Sequence, residues 1–191
     1  MKFAPQNIAD IFVIEPEIYG DDRGYFMEAF RQDKFEDALG YRVNFVQDNE
    51  SKSLKGVLRG LHFQLIPYAQ SKLVRVIEGA VLDVAVDIRR GSPSFGEHVA
   101  VELSDLNRKQ MFIPRGFAHG FVVLSDTATF AYKVDNYYSP KYDRGLSFDD
   151  VDINIDWRLP KNKLILSEKD ANQPGLQDIK ECFDYNHNYY E

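Results

Sequence analysis

Val81-Leu82-Asp83-Val84-Ala85-Val86-Asp87-Ile88 is the stretch that decides the fold. Leu82, Val84, Val86 and Ile88 alternate with Val81, Asp83, Ala85 and Asp87. Successive side chains of a strand point to opposite faces, so this period of two reads as a half-buried β-strand. Gly79 separates it from an apolar run at 73–77, and further runs at 98–103, 110–113, 120–124 and 127–134 read the same way. Ser104-Asp105-Leu106-Asn107 and Ser125-Asp126 are turns, and Arg89-Arg90-Gly91-Ser92-Pro93 is a loop. Short strands spaced by turn residues predict an all-β sandwich or barrel. Upstream, 11–14 reads as a strand ending at Pro16, Asp21-Asp22-Arg23-Gly24 as a turn and 25–30 as a second strand. Asp33 is placed to cap a short helix over 34–39, with Gly40 as its stop. A strand over 43–47 and a polar loop over 48–53 follow. Beyond Tyr138 the pattern gives way to polar loops. A closing helix is predicted from about 176 to 185, with Ile179, Cys182 and Phe183 on one face.

A chain of 191 residues reads as one domain, 1–191, with its strand-rich core at about 43–136 and loops plus the closing helix at 140–191. A net charge of −7 argues against nucleic-acid or anionic-membrane partners, which need a basic face. It leaves room for a small anion held by a few arginines. Cys182 is the only cysteine, so a reducing compartment is expected. The first residues are too polar for a signal peptide, and no run approaches the ~20 apolar residues of a membrane helix. The chain is therefore expected to be cytoplasmic.

Chemistry concentrates in Arg59-Gly60-Leu61-His62-Phe63-Gln64 and the following Ser71-Lys72-Leu73-Val74-Arg75-Val76. A histidine on an apolar strand is ordinarily a core residue; its surroundings decide whether it is more. Pro114-Arg115-Gly116-Phe117-Ala118-His119, taken with Gly60–His62, resembles the two-motif layout of the cupin superfamily, small jelly-roll β-barrels. Most cupins hold a metal through an H-x-H pair, a Glu and a later His. Here Gln64 stands where the second His would be, and no Glu follows closely. His62 and His119 alone make a poor metal site, so no metal and no cofactor are expected. Arg59 and His62 differ by an odd number of residues, which sends them to opposite faces unless Gly60 carries a bulge or Arg59 acts from a strand end.

A wider set of signatures is more specific. Asp22-Arg23-Gly24-Tyr25-Phe26, Gln47-Asp48-Asn49, Leu58–Gln64, Lys72–Val76, Asp83–Asp87, Pro114–Phe121, Tyr137-Tyr138-Ser139-Pro140 and Leu166-Ser167-Glu168-Lys169-Asp170 run from about 20 to about 170. In order and spacing they resemble the dTDP-4-dehydrorhamnose 3,5-epimerase family. The resemblance implies a metal-free cupin-type jelly-roll barrel with a few short peripheral helices, usually a homodimer. It implies epimerisation at C3 and C5 of a nucleotide-linked 4-keto-6-deoxyhexose on the route to L-rhamnose.

Inverting a carbon beside a ketone needs a base on one face, an acid on the other and a stabilised enolate oxygen. By resemblance His62 is the base, Asp170 its partner, Tyr132 the acid and Lys72 the cation at the enolate. Taken singly, Tyr132, Lys72 and Asp170 would read as packing, a solvated charge and a turn. Their joint fit to one pattern favours the site. The resemblance also assigns Arg23 and Arg59 to the diphosphate, Gln47 and Asn49 to polar contacts, and Phe26 and Tyr138 to stacking on thymine. Glu28, His119, Asp143 and Lys169 complete the set, with Arg23 and Phe26 reaching the neighbouring subunit's site. Asp143 departs from the Glu common in the family, and Phe148 from its frequent Trp. Two other readings remain: a single-carbon epimerase or ketoisomerase of a related keto sugar, and a non-catalytic cupin that binds a sugar nucleotide.

Overall fold

Two facing sheets hold the interior, and both are assembled from strands distant in sequence. The structure, a computed structural model, describes residues 1–190. Its elements are β1 (Lys2–Pro5), β2 (Phe12–Glu15), β3 (Ile18–Asp21), β4 (Gly24–Met27), α1 (Gln32–Leu39), β5 (Gln47–Leu54), β6 (Leu58–Gln64), β7 (Lys72–Glu78) and β8 (Ala80–Asp87). They continue as β9 (Arg89–Arg90), β10 (His98–Ser104), β11 (Gln110–Ile113), β12 (Phe117–Val123), β13 (Thr127–Val134), β14 (Asp143–Gly145), α2 (Glu168–Ala171) and β15 (Phe183–Asp184). One sheet has the order β1-β2-β11-β7-β13-β5, the other β10-β8-β12-β6-β14. This is an all-β jelly roll. The two sheets pack face to face without closing into one hydrogen-bonded barrel, and they recruit β1, β2 and β14 from outside 43–136.

Three apolar clusters fill the layers. Val74, Val76, Val81, Ala85, Phe117, Phe121 and Phe130 meet between the sheets. Leu82, Val84, Val86 and Ile88 face the other way, onto Phe148, Trp157, Leu176, Ile179 and Phe183 of the C-terminal segment. Ile14, Leu73 and Phe112 carry α1 through Phe35 on the outside of the six-stranded sheet. The alternation in β8 is therefore real, but the strand is buried on both faces rather than half-buried: Asp83 and Asp87 are 0% exposed. Phe148, expected as a departure from the family pattern, packs inside this outer layer, and its carbonyl accepts from Trp157 Nε1 at 2.8 Å.

Several expectations need correction. The helix begins at Gln32, with Arg31 at its N-cap, so Asp33 does not cap it. Asp33 sits in the first turn, paired with Arg31 at 2.7 Å, where the helix dipole favours a carboxylate. Gly40 does end the helix, with φ 78°. Residues 43–46 are not a strand, because Val43 turns inward and its carbonyl accepts from Gln32 Nε2 at 3.0 Å. The supposed polar loop over 48–53 is β5, paired residue by residue with β13. Its polarity is that of an edge strand wetted on its open side. The second early strand stops at Met27. No helix forms over 176–185. There the backbone is committed elsewhere: Arg90 Nη2 donates to the Ile179 carbonyl at 3.0 Å, and Phe183 pairs with Arg89.

The parity problem in β6 is resolved by a bulge. His119 pairs with His62, but Phe121 pairs with Arg59, so β6 carries one more residue than β12 over the same span. The extra residue reverses the alternation and brings Arg59 and His62 to the inner face together. Gly60 makes this possible: it has φ +127°, and a Cβ there would lie 2.5 Å from Gly120 Cα and 2.8 Å from the His119 carbonyl oxygen. Gly60→Ala is expected to lower stability by about 2–4 kcal/mol, since strained backbone and a main-chain clash add. Urea denaturation monitored by tryptophan fluorescence measures it; an unchanged midpoint would remove the bulge from this account.

Candidate active site

A cavity of about 400 Å³ opens between the sheets. The five-stranded sheet contributes Arg59 and His62 from β6 and His119 from β12. The six-stranded sheet contributes Asn49 from β5, Lys72 from β7 and Tyr132 from β13. Asp170 and Lys169 enter from α2. The inward set follows from strand parity, since Lys72, Val74 and Val76 share one face, as do Phe130 and Tyr132.

His62 Nε2 lies 2.6 Å from Asp170 Oδ1, across 108 residues of sequence. Ser167 caps α2 by accepting from the Asp170 backbone N–H at 3.1 Å, which fixes the carboxylate's approach. Burial pushes the Asp170 carboxyl up, but the hydrogen bond from His62 and the nearby charges outweigh it, leaving it below its ordinary value. In the tautomer with its proton on Nε2, His62 donates to the Asp170 carboxylate. That leaves Nδ1 unprotonated, the state a base requires.

A second couple lies deeper. His119 Nε2 is 2.8 Å from Asp83 Oδ1, and Asp83 Oδ2 is buried with no hydrogen-bond partner among the described residues. Burial lowers the His119 pKa; Asp83 opposes this without offsetting it. The sequence pattern marks Asp83 only as a strand residue, yet it carries a signal: a charged side chain on the inward parity of an apolar strand. Burial also lowers the Lys72 ammonium to about 8, against the raising influence of Asp143 and Asp83. Burial raises the Tyr132 hydroxyl above its ordinary value, so it holds its proton at neutral pH. The inner face thus presents an oriented imidazole, a protonated phenol and a desolvated amine to one space.

The remaining expected residues divide into two groups. Arg59 Nε donates to Ser53 Oγ at 3.2 Å at the cavity wall. Gln47 Nε2 donates to Asn49 Oδ1 at 2.8 Å. At the outer end Asp143 Oδ2 accepts from Lys169 Nζ at 2.5 Å and from the Tyr138 hydroxyl at 3.1 Å. By contrast, Arg23, Phe26 and Glu28 are not brought to this cavity. Arg23 pairs with Asp21 at the tip of the β3–β4 hairpin, Phe26 is 65% exposed against Tyr19, and Glu28 pairs with Arg31 and Lys34. Among the described residues no group of three or more His, Cys, Asp or Glu is placed to hold a metal ion.

A cupin-type jelly roll with this interior is an enzyme fold equipped for proton transfer. The comparisons give the particular family. Residues 5–178 match the model of the dTDP-4-dehydrorhamnose 3,5-epimerase family, and the chain belongs to it. The dTDP-4-dehydrorhamnose 3,5-epimerase of Escherichia coli (strain K12) is 58% identical over 179 residues, 94% of this chain and 96% of that one. The crystal structure of the enzyme from Elizabethkingia anophelis NUHP1 is 50% identical and superposes with a TM-score of 0.90, covering 93% of this chain and 97% of that one. The dTDP-6-deoxy-D-glucose-3,5-epimerase of Legionella pneumophila Philadelphia 1, solved with dTDP-4-keto-L-rhamnose, is 47% identical with a TM-score of 0.93 and covers 97% and 99%.

Lys72 yields a pH test with opposed signs. With its folded pKa near 8, it loses its proton as pH rises through that value, so kcat/KM is expected to fall above about pH 8. Between about 8 and the ordinary lysine value of 10.5 the unfolded chain binds more protons than the folded one, so this group's contribution to stability rises with pH. A pH–rate profile beside urea midpoints separates loss of the cation from unfolding. Constant kcat/KM to pH 9 would show that the ammonium is not required.

Proposed function

We propose that this chain epimerises C3 and C5 of dTDP-4-dehydro-6-deoxy-D-glucose to give dTDP-4-dehydro-L-rhamnose, a step of dTDP-L-rhamnose biosynthesis, with His62 as base and Tyr132 as acid. The observation that carries the reading is placement on opposite walls. His62 stands on the five-stranded sheet and Tyr132 on the six-stranded sheet, with one cavity between them. A flat keto sugar lying in that space has its base on one face and its proton donor on the other.

The steps follow from the groups. His62 Nδ1 takes the proton from the carbon beside the C4 ketone, and the imidazolium formed is stabilised by Asp170. The electron pair moves onto the carbonyl oxygen as an enolate, beside the Lys72 ammonium. Tyr132 returns a proton to the opposite face of the carbon, which inverts it. Before the second carbon reacts, the His62 imidazolium gives its proton up to solvent and the Tyr132 phenolate regains one from it; the ring then shifts against the same pair. Each positioned acid or base contributes about 10²–10⁴-fold.

Arg59 supplies a guanidinium fork for the diphosphate, and Tyr138, Asp143 and Lys169 receive the nucleoside end. Asp143 is one methylene shorter than Glu, and Lys169 reaches it directly. The protein acts as a homodimer in which the β3–β4 hairpin enters the partner's site. Supporting this, Ile18, Tyr19, Tyr25 and Phe26 leave the hairpin with an exposed apolar surface, and Arg23 and Phe26 lie away from their own cavity. Cys182 is a free thiol, which fits the reducing compartment of a cytoplasmic enzyme; among the described residues no helix is long and apolar enough to cross a membrane.

Incubation with dTDP-4-keto-6-deoxyglucose in D₂O, read by NMR at C3 and C5, tests the assignment. His62→Ala is expected to stop exchange at both carbons. Tyr132→Phe keeps base and cation, so exchange is expected to persist while inversion falls about 10²–10⁴-fold. Continued exchange by His62→Ala would place the base elsewhere. For the assembly, sedimentation at micromolar concentration is expected to give a dimer of this 22.1 kDa chain, and a monomer would contradict the hairpin exchange.

A further inference from the structure

Gln64 occupies the position where the second histidine of an H-x-H pair would stand, and the chemistry proposed above makes no use of it. Its side chain is 4% exposed, and every polar bond it makes is to main chain. Nε2 donates to the Tyr68 carbonyl at 2.8 Å and to the Tyr137 carbonyl at 3.2 Å. Oε1 accepts from the Ser139 N–H at 2.6 Å. The Tyr137 and Ser139 groups flank Tyr138 in sequence, so one amide grips the backbone on both sides of that residue. Gln64 is also the register partner of Asp143, whose carboxylate accepts from the Tyr138 hydroxyl.

The geometry points to Gln64 as a positioning residue for the nucleoside end of the site, holding Tyr138 and Asp143 in the arrangement that receives the base. This rests on the reading of Tyr138 as a ring that stacks on the nucleobase. Tyr138 is 57% exposed, so packing does not fix its ring; its backbone anchors and its bond to Asp143 do. The loop it stands on is tied to the segment after β6 by further bonds, Gln70 Nε2 to the Asn136 carbonyl at 2.7 Å and Asn136 Nδ2 to the Pro67 carbonyl at 2.8 Å. Gln64 is the member of this set whose bonds flank Tyr138 on both sides, at the Tyr137 carbonyl and the Ser139 N–H.

The residue type is dictated by the partners. Two carbonyls and one N–H ask for two donors and one acceptor on a single planar group, which a primary amide has. A neutral imidazole has one donor, and a carboxylate has none. Freezing an exposed aromatic in its bound pose removes an ordering cost that the ligand would otherwise meet on binding. The expected signature is therefore in affinity for the nucleoside, separate from the diphosphate anchored at Arg59.

The test compares Gln64→Met, which keeps volume and loses all three bonds, and Gln64→Glu, which keeps only the acceptor. Inhibition constants are measured for dTDP and for inorganic pyrophosphate, with KM and kcat for the nucleotide sugar. Both variants are expected to weaken dTDP about tenfold, equivalent to 1.4 kcal/mol, with pyrophosphate changed less than about twofold and KM affected more than kcat. Equal weakening of dTDP and pyrophosphate, no weakening of either, or failure of both variants to fold would assign Gln64 to general structure and overturn the proposal. Tyr138→Ala is the control. If it leaves dTDP inhibition unchanged, the stacking role of Tyr138 falls; if it weakens dTDP while the Gln64 variants do not, only the positioning role falls.

Discussion

One extra residue in β6 is the constraint on which the site depends. A regular ladder between β6 and β12 would leave either Arg59 or His62 facing the outer apolar layer among Phe148 and Trp157. A guanidinium there would be desolvated without a partner, at a cost of several kcal/mol. With the bulge, Leu58, Leu61 and Phe63 stay in the outer layer while Arg59 and His62 both turn inward. The close approach of Gly60 to Gly120 links the bulge to the strand that carries His119.

The interior this creates is polar in an all-β core, and its charges are arranged in couples. Asp170 serves His62 and Asp83 serves His119, each by a single short bond. The two couples differ in depth: His62 lies at an accessible wall, whereas His119 and Asp83 are closed off. Depth separates their roles. The accessible imidazole can exchange protons with a ligand, whereas desolvation biases the buried one toward its neutral form. Lys72 is under the same desolvation and is kept near its charging point by the carboxylates around it.

The strand core was legible in the sequence because period two survives wherever one face is apolar. Reading it as a half-buried pattern failed for β8, since the alternation of Leu82, Val84 and Val86 with Asp83 and Asp87 hides that both rows are covered. β5 was missed for the opposite reason: Gln47–Leu54 is an edge strand with almost no apolar residue, and only its partner β13 reveals it. Ile179 and Phe183 have helical spacing, but each meets the outer layer from extended backbone. Within the site, the inward lysine, tyrosine and histidines follow strand parity. Asp170 does not, because its place beside His62 is set by the tertiary path of the chain, and only the family resemblance brought the two together. Gln64 was seen as a broken metal motif; its three main-chain partners lie in loops that no periodicity describes.

The C-terminal layer also sets the order in which the molecule can become itself. Leu82, Val84, Val86 and Ile88 are covered by residues from Leu146 to Phe183, which leave the ribosome after the strands they cover. Until then the five-stranded sheet shows a broad greasy face to water, and a nascent chain in that state is prone to stick to its neighbours. The same late segment carries Asp170, so the histidine of β6 lacks its carboxylate partner until that segment is made. Chains cut short before this layer therefore expose an apolar sheet face and also lack the carboxylate that pairs with His62.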